Sequence, residues 1–276
     1  MWGDSRHGGA MNSQGAGNNY RLIWFQHLSK AAGTSIVELA KANGEKFYHQ
    51  HSNGNPRNSD GTLVRLWDMN GSQLKAFVDG CEHEGITFIA TEWGAPDFAA
   101  LASDPRVTLI TCLRDPLERF ISNYYYGFYL GYSDCLSPES YANSDRTFWG
   151  VYTRSNYYCR IFSRCHHEVS RIGLSQFEQA KINLSYFDYC VLISGRESFE
   201  HVKSAFGWEG GGTHANRTNL GVIALSKHLL TGKFRLLWRR FAYPKKKPSN
   251  EFIDHFKDEN AWDYGLMEEA RKYAAA

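Results

Sequence analysis

No apolar run in the 276-residue chain approaches the ~18 residues that a membrane-spanning helix needs. Charge of either sign is not in excess: 31 Lys and Arg stand against 29 Asp and Glu, a formal net charge of +2. That excludes a globally basic, histone-like nucleic-acid binder but leaves room for a local basic pocket. Cysteine is sparse, six in all, too few for a disulfide-built scaffold. No CxxC pair occurs, and Cys159 and Cys165, with His166 and His167 beside them, lack the second ligand pair of a zinc site, so no metal centre is expected. These two cysteines pair in an oxidising compartment and stay free in a reducing one. No secretory h-region follows Met1. The three N-x-Ser/Thr triplets, at Asn70, Asn183 and Asn216, are weak support for secretion.

What is present is an ordinary globular composition, 42% hydrophobic and 22% charged, with a high aromatic share of 15%. Residues 1–19, rich in Gly, Asn and Ser, read as a flexible tail or an expression remnant, which leaves residues 20–273 as a single domain. Apolar, β-branched runs at 21–28, 85–91, 107–113 and 189–194 read as buried strands. Helical periodicity falls at 36–42, 74–78, 96–102, 117–129, 174–184, 197–206 and, as a pair, 252–273. Residues 49–61 read as an irregular polar loop, 131–156 as a long insertion and 209–219 as a Gly-rich loop. Strands alternating with helices predict an α/β, P-loop-like three-layer fold, its central mainly parallel sheet flanked by helices. Ligands of such sheets collect at the carboxyl ends of the strands, here the loops after residues 28, 91 and 113.

Two of those loops carry anion-binding chemistry. In Lys30-Ala31-Ala32-Gly33-Thr34-Ser35 small residues let backbone N–H groups approach phosphate oxygens, Lys30 adds a point charge, and Thr34 and Ser35 add hydroxyl donors. The Lys precedes Gly33 and no Gly-Lys-Ser/Thr occurs, so this is not a Walker A loop. At the second, Arg114 ends a strand, Asp115-Pro116 starts a helix, and Ser122 follows two turns on. An Arg fork and a hydroxyl from one strand–helix unit suit a second phosphate.

HLSKAAGTSI resembles the 5'-phosphosulfate loop, and LRDPLERFISNYYYGF the 3'-phosphate motif RDPxxRxxS, of the sulfotransferases that use 3'-phosphoadenosine 5'-phosphosulfate (PAPS). The chain is most similar to their carbohydrate branch, the heparan sulfate and uronyl 2-O-sulfotransferases. Weaker likeness runs through YYCRIFSRC, where that branch has a close cysteine pair, and QAKINLSYFDYCVLISGRESFE, so the resemblance spans roughly residues 21–210. It implies that Lys30, Ala32, Gly33, Thr34 and Ser35 bind the 5'-phosphosulfate, that Arg114 and Ser122 bind the 3'-phosphate, and that Arg217 and Thr218 form a third contact. Ser29 stands where the family often has Pro, and Ala32 where it often has Gly.

Sulfuryl transfer needs a base for the acceptor hydroxyl and a cation for the leaving phosphate; Lys30 suits the second task. Glu92, directly after the strand at 85–91, falls by ungapped count from Arg114 where the 2-O-sulfotransferases carry their catalytic histidine. Other branches use Glu for this step, which makes Glu92 the candidate base, with His83, His49 and His51 as fallbacks and Glu82 and Glu84 in the same loop. No metal is required where Lys and Arg do the charge work. Tyr124 to Tyr129, Trp93 and Trp149 supply rings for an acceptor cleft, although a helical Tyr stripe more often packs in a core. Lys245 to Lys247 read as a solvated basic loop.

The expected function is therefore an enzyme that moves a sulfuryl group from PAPS to a hydroxylated acceptor, a carbohydrate by resemblance, releasing PAP, without nucleic acid or a membrane span. The rivals are a P-loop small-molecule kinase, which would need ATP and Mg²⁺, and a non-catalytic nucleotide- or glycan-binding module of the same fold. The resemblance implies the Golgi lumen for a trimmed chain; otherwise the chain reads as soluble and cytoplasmic.

Overall fold

A computed structural model describes residues 20–144, 155–165, 171–193, 196–210, 238–239, 242–243 and 247–274. In chain order the elements are β1 (Leu22–Gln26), α1 (Gly33–Ala42), β2 (His51–Ser52), β3 (Asn55–Pro56), α2 (Gly71–Glu84), β4 (Phe88–Thr91), α3 (Phe98–Ala102), β5 (Val107–Arg114), α4 (Pro116–Tyr129) and α5 (Pro138–Ala142). They continue with α6 (Tyr157–Phe162), α7 (Leu174–Leu184), β6 (Tyr189–Ile193), α8 (Glu200–Phe206), α9 (Asn250–Glu259) and α10 (Ala261–Ala274). The fold is α/β, as expected: four parallel strands in the order β4-β1-β5-β6, flanked by helices.

The central strand β1 is buried along its whole length, which is why LIWFQ reads as an unbroken apolar run rather than an alternating one. Its one polar residue is satisfied across the sheet. Gln26 accepts from Thr91 Oγ1 (2.9 Å) through its side chain and donates to the Gly94 carbonyl (3.3 Å). Its backbone carbonyl accepts from Thr111 Oγ1 at 3.0 Å, so one residue ties together the carboxyl ends of β4, β1 and β5. A buried amide costs stability unless paired, so this network fixes how the loops leave the sheet.

Several expectations change. Residues 49–61 are not irregular: β2 and β3 form a small antiparallel hairpin, turning through Asn53 and Gly54, both at positive φ. Asn and Gly tolerate that region, so the composition that suggested a loop is the chemistry of a tight turn. The helix expected at 74–78 runs from Gly71 to Glu84, because Asn70 and Gln73 close a capping box at its start. Helix α6 lies inside a stretch with no helical signal in the sequence. Asn183, a glycosylation triplet, is buried and donates to the Phe162 carbonyl (2.5 Å), so it cannot carry a glycan in the folded chain. Asn70 is spent on the cap. All six cysteines are free, Cys159 and Cys165 included. Among the described residues no helix is long and apolar enough to cross a membrane.

The tyrosine run of α4 is mostly core. Tyr124, Tyr125 and Tyr129 join Phe120, Phe128, Tyr141, Phe252 and Phe256 in a second aromatic cluster between α4, α5 and α9. Buried Arg239 closes the end of α4, donating to the carbonyls of Phe128 (2.9 Å) and Ser133 (2.8 Å) and pairing with Asp134.

Candidate functional site

The two loops expected to bind anions leave adjacent strands. β1 pairs with β5 in parallel, Gln26 facing Thr111, so the chain turns into Lys30 and into Arg114 side by side at one edge of the sheet. Neighbouring strands are about 4.8 Å apart. Helix α4 then runs past both loops. Glu118, Ser122 and Tyr126 are four residues apart and share one helix face. Arg114 Nε bonds Glu118 Oε2 (3.0 Å) at one end of this stripe, and Lys30 Nζ sits 4.1 Å from the ring centroid of Tyr126 at the other. Ser122 stands halfway. The stripe is about 12 Å long at 1.5 Å per residue.

The first loop is strained where the sequence does not show it. Lys30 (φ 65°) and Ala32 (φ 60°) both occupy the left-handed region, and neither is glycine. These turns fold the loop back on itself: the Ala31 N–H donates to the Leu28 carbonyl (3.1 Å) and the Ser35 N–H to the Ala32 carbonyl (2.9 Å). Helix α1 begins at Gly33 with no side-chain cap, so no side chain competes for its first-turn amides. Gly33 itself has an unexpected reason. A Cβ there would lie 1.7 Å from Cδ2 and 1.9 Å from Nε2 of His27, so the missing side chain makes room for an imidazole. Thr34 is half-buried and Ser35 buried in the first turn.

His27 was not among the sequence candidates, and it is the partner of the one that stood first. Its Nδ1 lies 3.3 Å from Glu92 Oε2, and Asn53 Nδ2 lies 3.4 Å from the same nitrogen. Glu92 is positioned from behind by the β2–β3 hairpin, whose Asn55 Oδ1 accepts its backbone N–H (2.8 Å). Burial pushes the Glu92 carboxyl up, but the charge and hydrogen bond of His27 and the charge of Lys30 outweigh it and hold the group below its ordinary value. Side-chain exposure is 19% for Glu92 and 5% for His27, so the carboxylate faces outward and the imidazole backs it. The signal that could have found His27 is its place in the sequence. It is a polar residue one step past a buried strand, where only a ligand or a paired group belongs.

The fallback bases do not converge on this edge. Glu82, His83 and Glu84 end α2, just before β4 begins, at the opposite edge of the sheet. There Glu82 pairs with Arg106 (2.5 Å) and Glu84 with exposed His49 (3.6 Å). His51 is in the hairpin, its Nδ1 accepting from Gly54 N–H (3.1 Å). Of the candidate acceptor rings, Tyr126 (36% exposed) and Trp93 (49%) reach the surface beside Lys30 and Glu92, and so does Tyr132, 6.3 Å from Tyr126 between ring centroids. Arg217, Thr218, Trp149, His166, His167, Lys245 and Lys246 lie outside the described residues.

The second arginine of the RDPxxR run, Arg119, is buried beneath two rings, its guanidinium 4.2 Å from the centroid of Tyr157 and 6.0 Å from that of Tyr158. It holds α6 against α4 rather than facing a ligand. A separate cavity of about 530 Å³ lies between α5 and α9, lined by Glu139, His255 and Phe256 among others, away from the strand ends. Among the described residues no group of three His, Cys, Asp or Glu side chains is placed to hold a metal ion. No protein-family model matches the chain, and no curated protein matches it.

Proposed function

We propose that the chain is a PAPS-dependent O-sulfotransferase acting on a carbohydrate hydroxyl. The observation that supports it most is the placement of Lys30 and Arg114 at adjacent strand ends and at the two ends of one stripe on α4. A nucleotide with phosphates at both ends of its ribose needs two such cationic corners. The first-turn amides of α1, the hydroxyls of Thr34 and Ser35 and the Lys30 ammonium hold the 5'-phosphosulfate; Arg114 and Ser122 hold the 3'-phosphate. Glu118, now on Arg114, is exposed and gives way to a doubly charged phosphate.

PAPS supplies an activated sulfuryl group. As the acceptor oxygen bonds to sulfur, Glu92 takes its proton. The sulfur–oxygen bond to phosphate breaks, and its electron pair stays on the phosphate of PAP. Lys30 and the α1 amides stabilise that charge. His27 keeps the Glu92 carboxylate oriented and charged. Trp93, Tyr126 and Tyr132 offer exposed ring faces on which a sugar can stack.

Incubation of the full chain with labelled PAPS and a panel of glycans and small alcohols tests the reading by which acceptor gains label. Glu92→Gln should lower turnover by at least a hundredfold with PAP affinity retained. Lys30→Ala should impair both binding and rate. Label transfer from ATP with Mg²⁺ instead of PAPS would replace the reading with the kinase one, and PAP binding without any transfer would leave a binding module.

A further inference from the structure

Two consecutive tyrosines reach the two anion loops by their hydroxyls. Tyr157 Oη accepts the backbone N–H of Ser29 (3.2 Å), the residue before Lys30. Tyr158 Oη donates to the backbone carbonyl of Arg114 (2.7 Å) and accepts its N–H (3.2 Å), so one hydroxyl holds both backbone polar groups of that residue. Both side chains are buried, at 1% and 0% exposure. Successive residues of a helix diverge by about 100°. Here their ring centroids are 5.7 Å apart, close to the ~4.8 Å between the adjacent strands β1 and β5 that lead to Ser29 and Arg114.

The pair is held from three sides. Arg119 of α4 lies against both rings. Asp263 of α10 caps α6, its two oxygens accepting the N–H groups of Tyr158 and Cys159, each at 2.9 Å. Asn156, at positive φ just before the helix, receives the side chain of Asn260 on its N–H (2.8 Å) and donates to the Glu259 carbonyl (2.8 Å). The hydroxyls of the pair meet the loops at the backbone of Ser29 and Arg114.

We propose that Tyr157 and Tyr158 form a gauge that fixes the separation of the two loops and thereby selects a nucleotide phosphorylated at both ends. The inference rests on the reading of the loops as the 5' and 3' cradles. Both tyrosines are positioning residues; they act through Ser29 and Arg114. Tyr158 governs the 3' cradle alone. Tyr157 governs the 5' cradle, which every adenosine 5'-phosphate uses.

The test is the affinity of the full chain for PAP and for 5'-AMP, which lacks the 3'-phosphate, measured by titration calorimetry. Tyr158→Phe should cut the PAP-to-AMP preference by about tenfold and leave AMP affinity within about twofold. Tyr157→Phe should weaken both ligands alike and keep the preference. In an Arg114→Ala background Tyr158→Phe should have no further effect on the preference, which separates positioning from general loosening. A wild-type preference preserved in Tyr158→Phe, or equal losses from both variants, overturns the gauge while the cradles stand. Wild-type protein that binds neither nucleotide overturns the cradles as well. Amide hydrogen exchange on the unaltered chain supplies a check that needs no variant. The Ser29 and Arg114 amides should exchange as slowly as those of mid-β5, and fast exchange at either refutes the clamp.

Discussion

Ala32 and Gly33 are neighbours of similar size, and the structure predicts opposite responses to exchanging their side chains. Ala32 sits at φ 60°, a region that costs an L-residue roughly 1–2 kcal/mol. Ala32→Gly removes that strain and returns about 0.4–1 kcal/mol of chain freedom to the unfolded state, for a net gain of about 0.5–1 kcal/mol. Gly33→Ala places a methyl carbon 1.7 Å from one ring atom of His27 and 2.6 Å from Cγ, too deep in the ring for a small shift to relieve. The imidazole must leave a buried position and its Glu92 partner, a cost of roughly 1–3 kcal/mol or more. The measurement is urea unfolding of the two variants, of His27→Ala, and of the Gly33→Ala, His27→Ala double variant. The double-mutant cycle should show a coupling above about 1 kcal/mol, since removing the ring removes the collision. Midpoints that move in the same direction for Ala32→Gly and Gly33→Ala, or a Gly33→Ala cost unchanged without His27, would refute both the loop geometry and the reason given for the glycine.

Two further outcomes concern the scaffold. Burial raises the Asp263 carboxyl to about 6 from 3.8, against the opposing pull of the Cys159 and Tyr158 amides and the Arg119 charge. The folded chain therefore holds more protons than the unfolded one between those values. The contribution is present below about pH 4 and lost as pH rises through about 6, on the order of 3 kcal/mol in all. Urea midpoints across pH 4–8 should lose this slope in Asp263→Asn, and parallel profiles would mean the carboxyl titrates normally. Arg239→Met should destabilise by about 2–4 kcal/mol, because the carbonyls of Phe128 and Ser133 lose their buried donor. A thermal midpoint within 1 °C of the parent would show that water replaces the guanidinium there.

The sheet was legible because β1, β4 and most of β5 are buried on both faces and read as unbroken apolar runs, 107–113 most clearly. Helix α4 announced itself through Asp115-Pro116 at its start. Helix α6 did not. Its cap comes from Asp263, more than a hundred residues away, and no local pattern encodes a cap delivered by tertiary contact. The site was legible as two loops and a carboxylate, since Arg114 ends a strand, Glu92 directly follows one and Lys30 lies four residues past another. The His27–Glu92 pair was not, because the residues are 65 positions apart and meet only through the parallel pairing of β1 with β4. The tyrosine run misled by composition: rings that suggested a cleft mostly fill a core, and Tyr126 alone turns toward Lys30.

The carboxylate that starts α6 has a consequence for how the protein is made. When β6, the last described strand of the sheet, leaves the ribosome, Asn260 and Asp263 have not yet emerged. Until those residues emerge, the tyrosine pair has no fixed helix to stand on, and the floor of both loops is open. The support beneath both loops should then become ordered only after those residues emerge, later than the sheet can form.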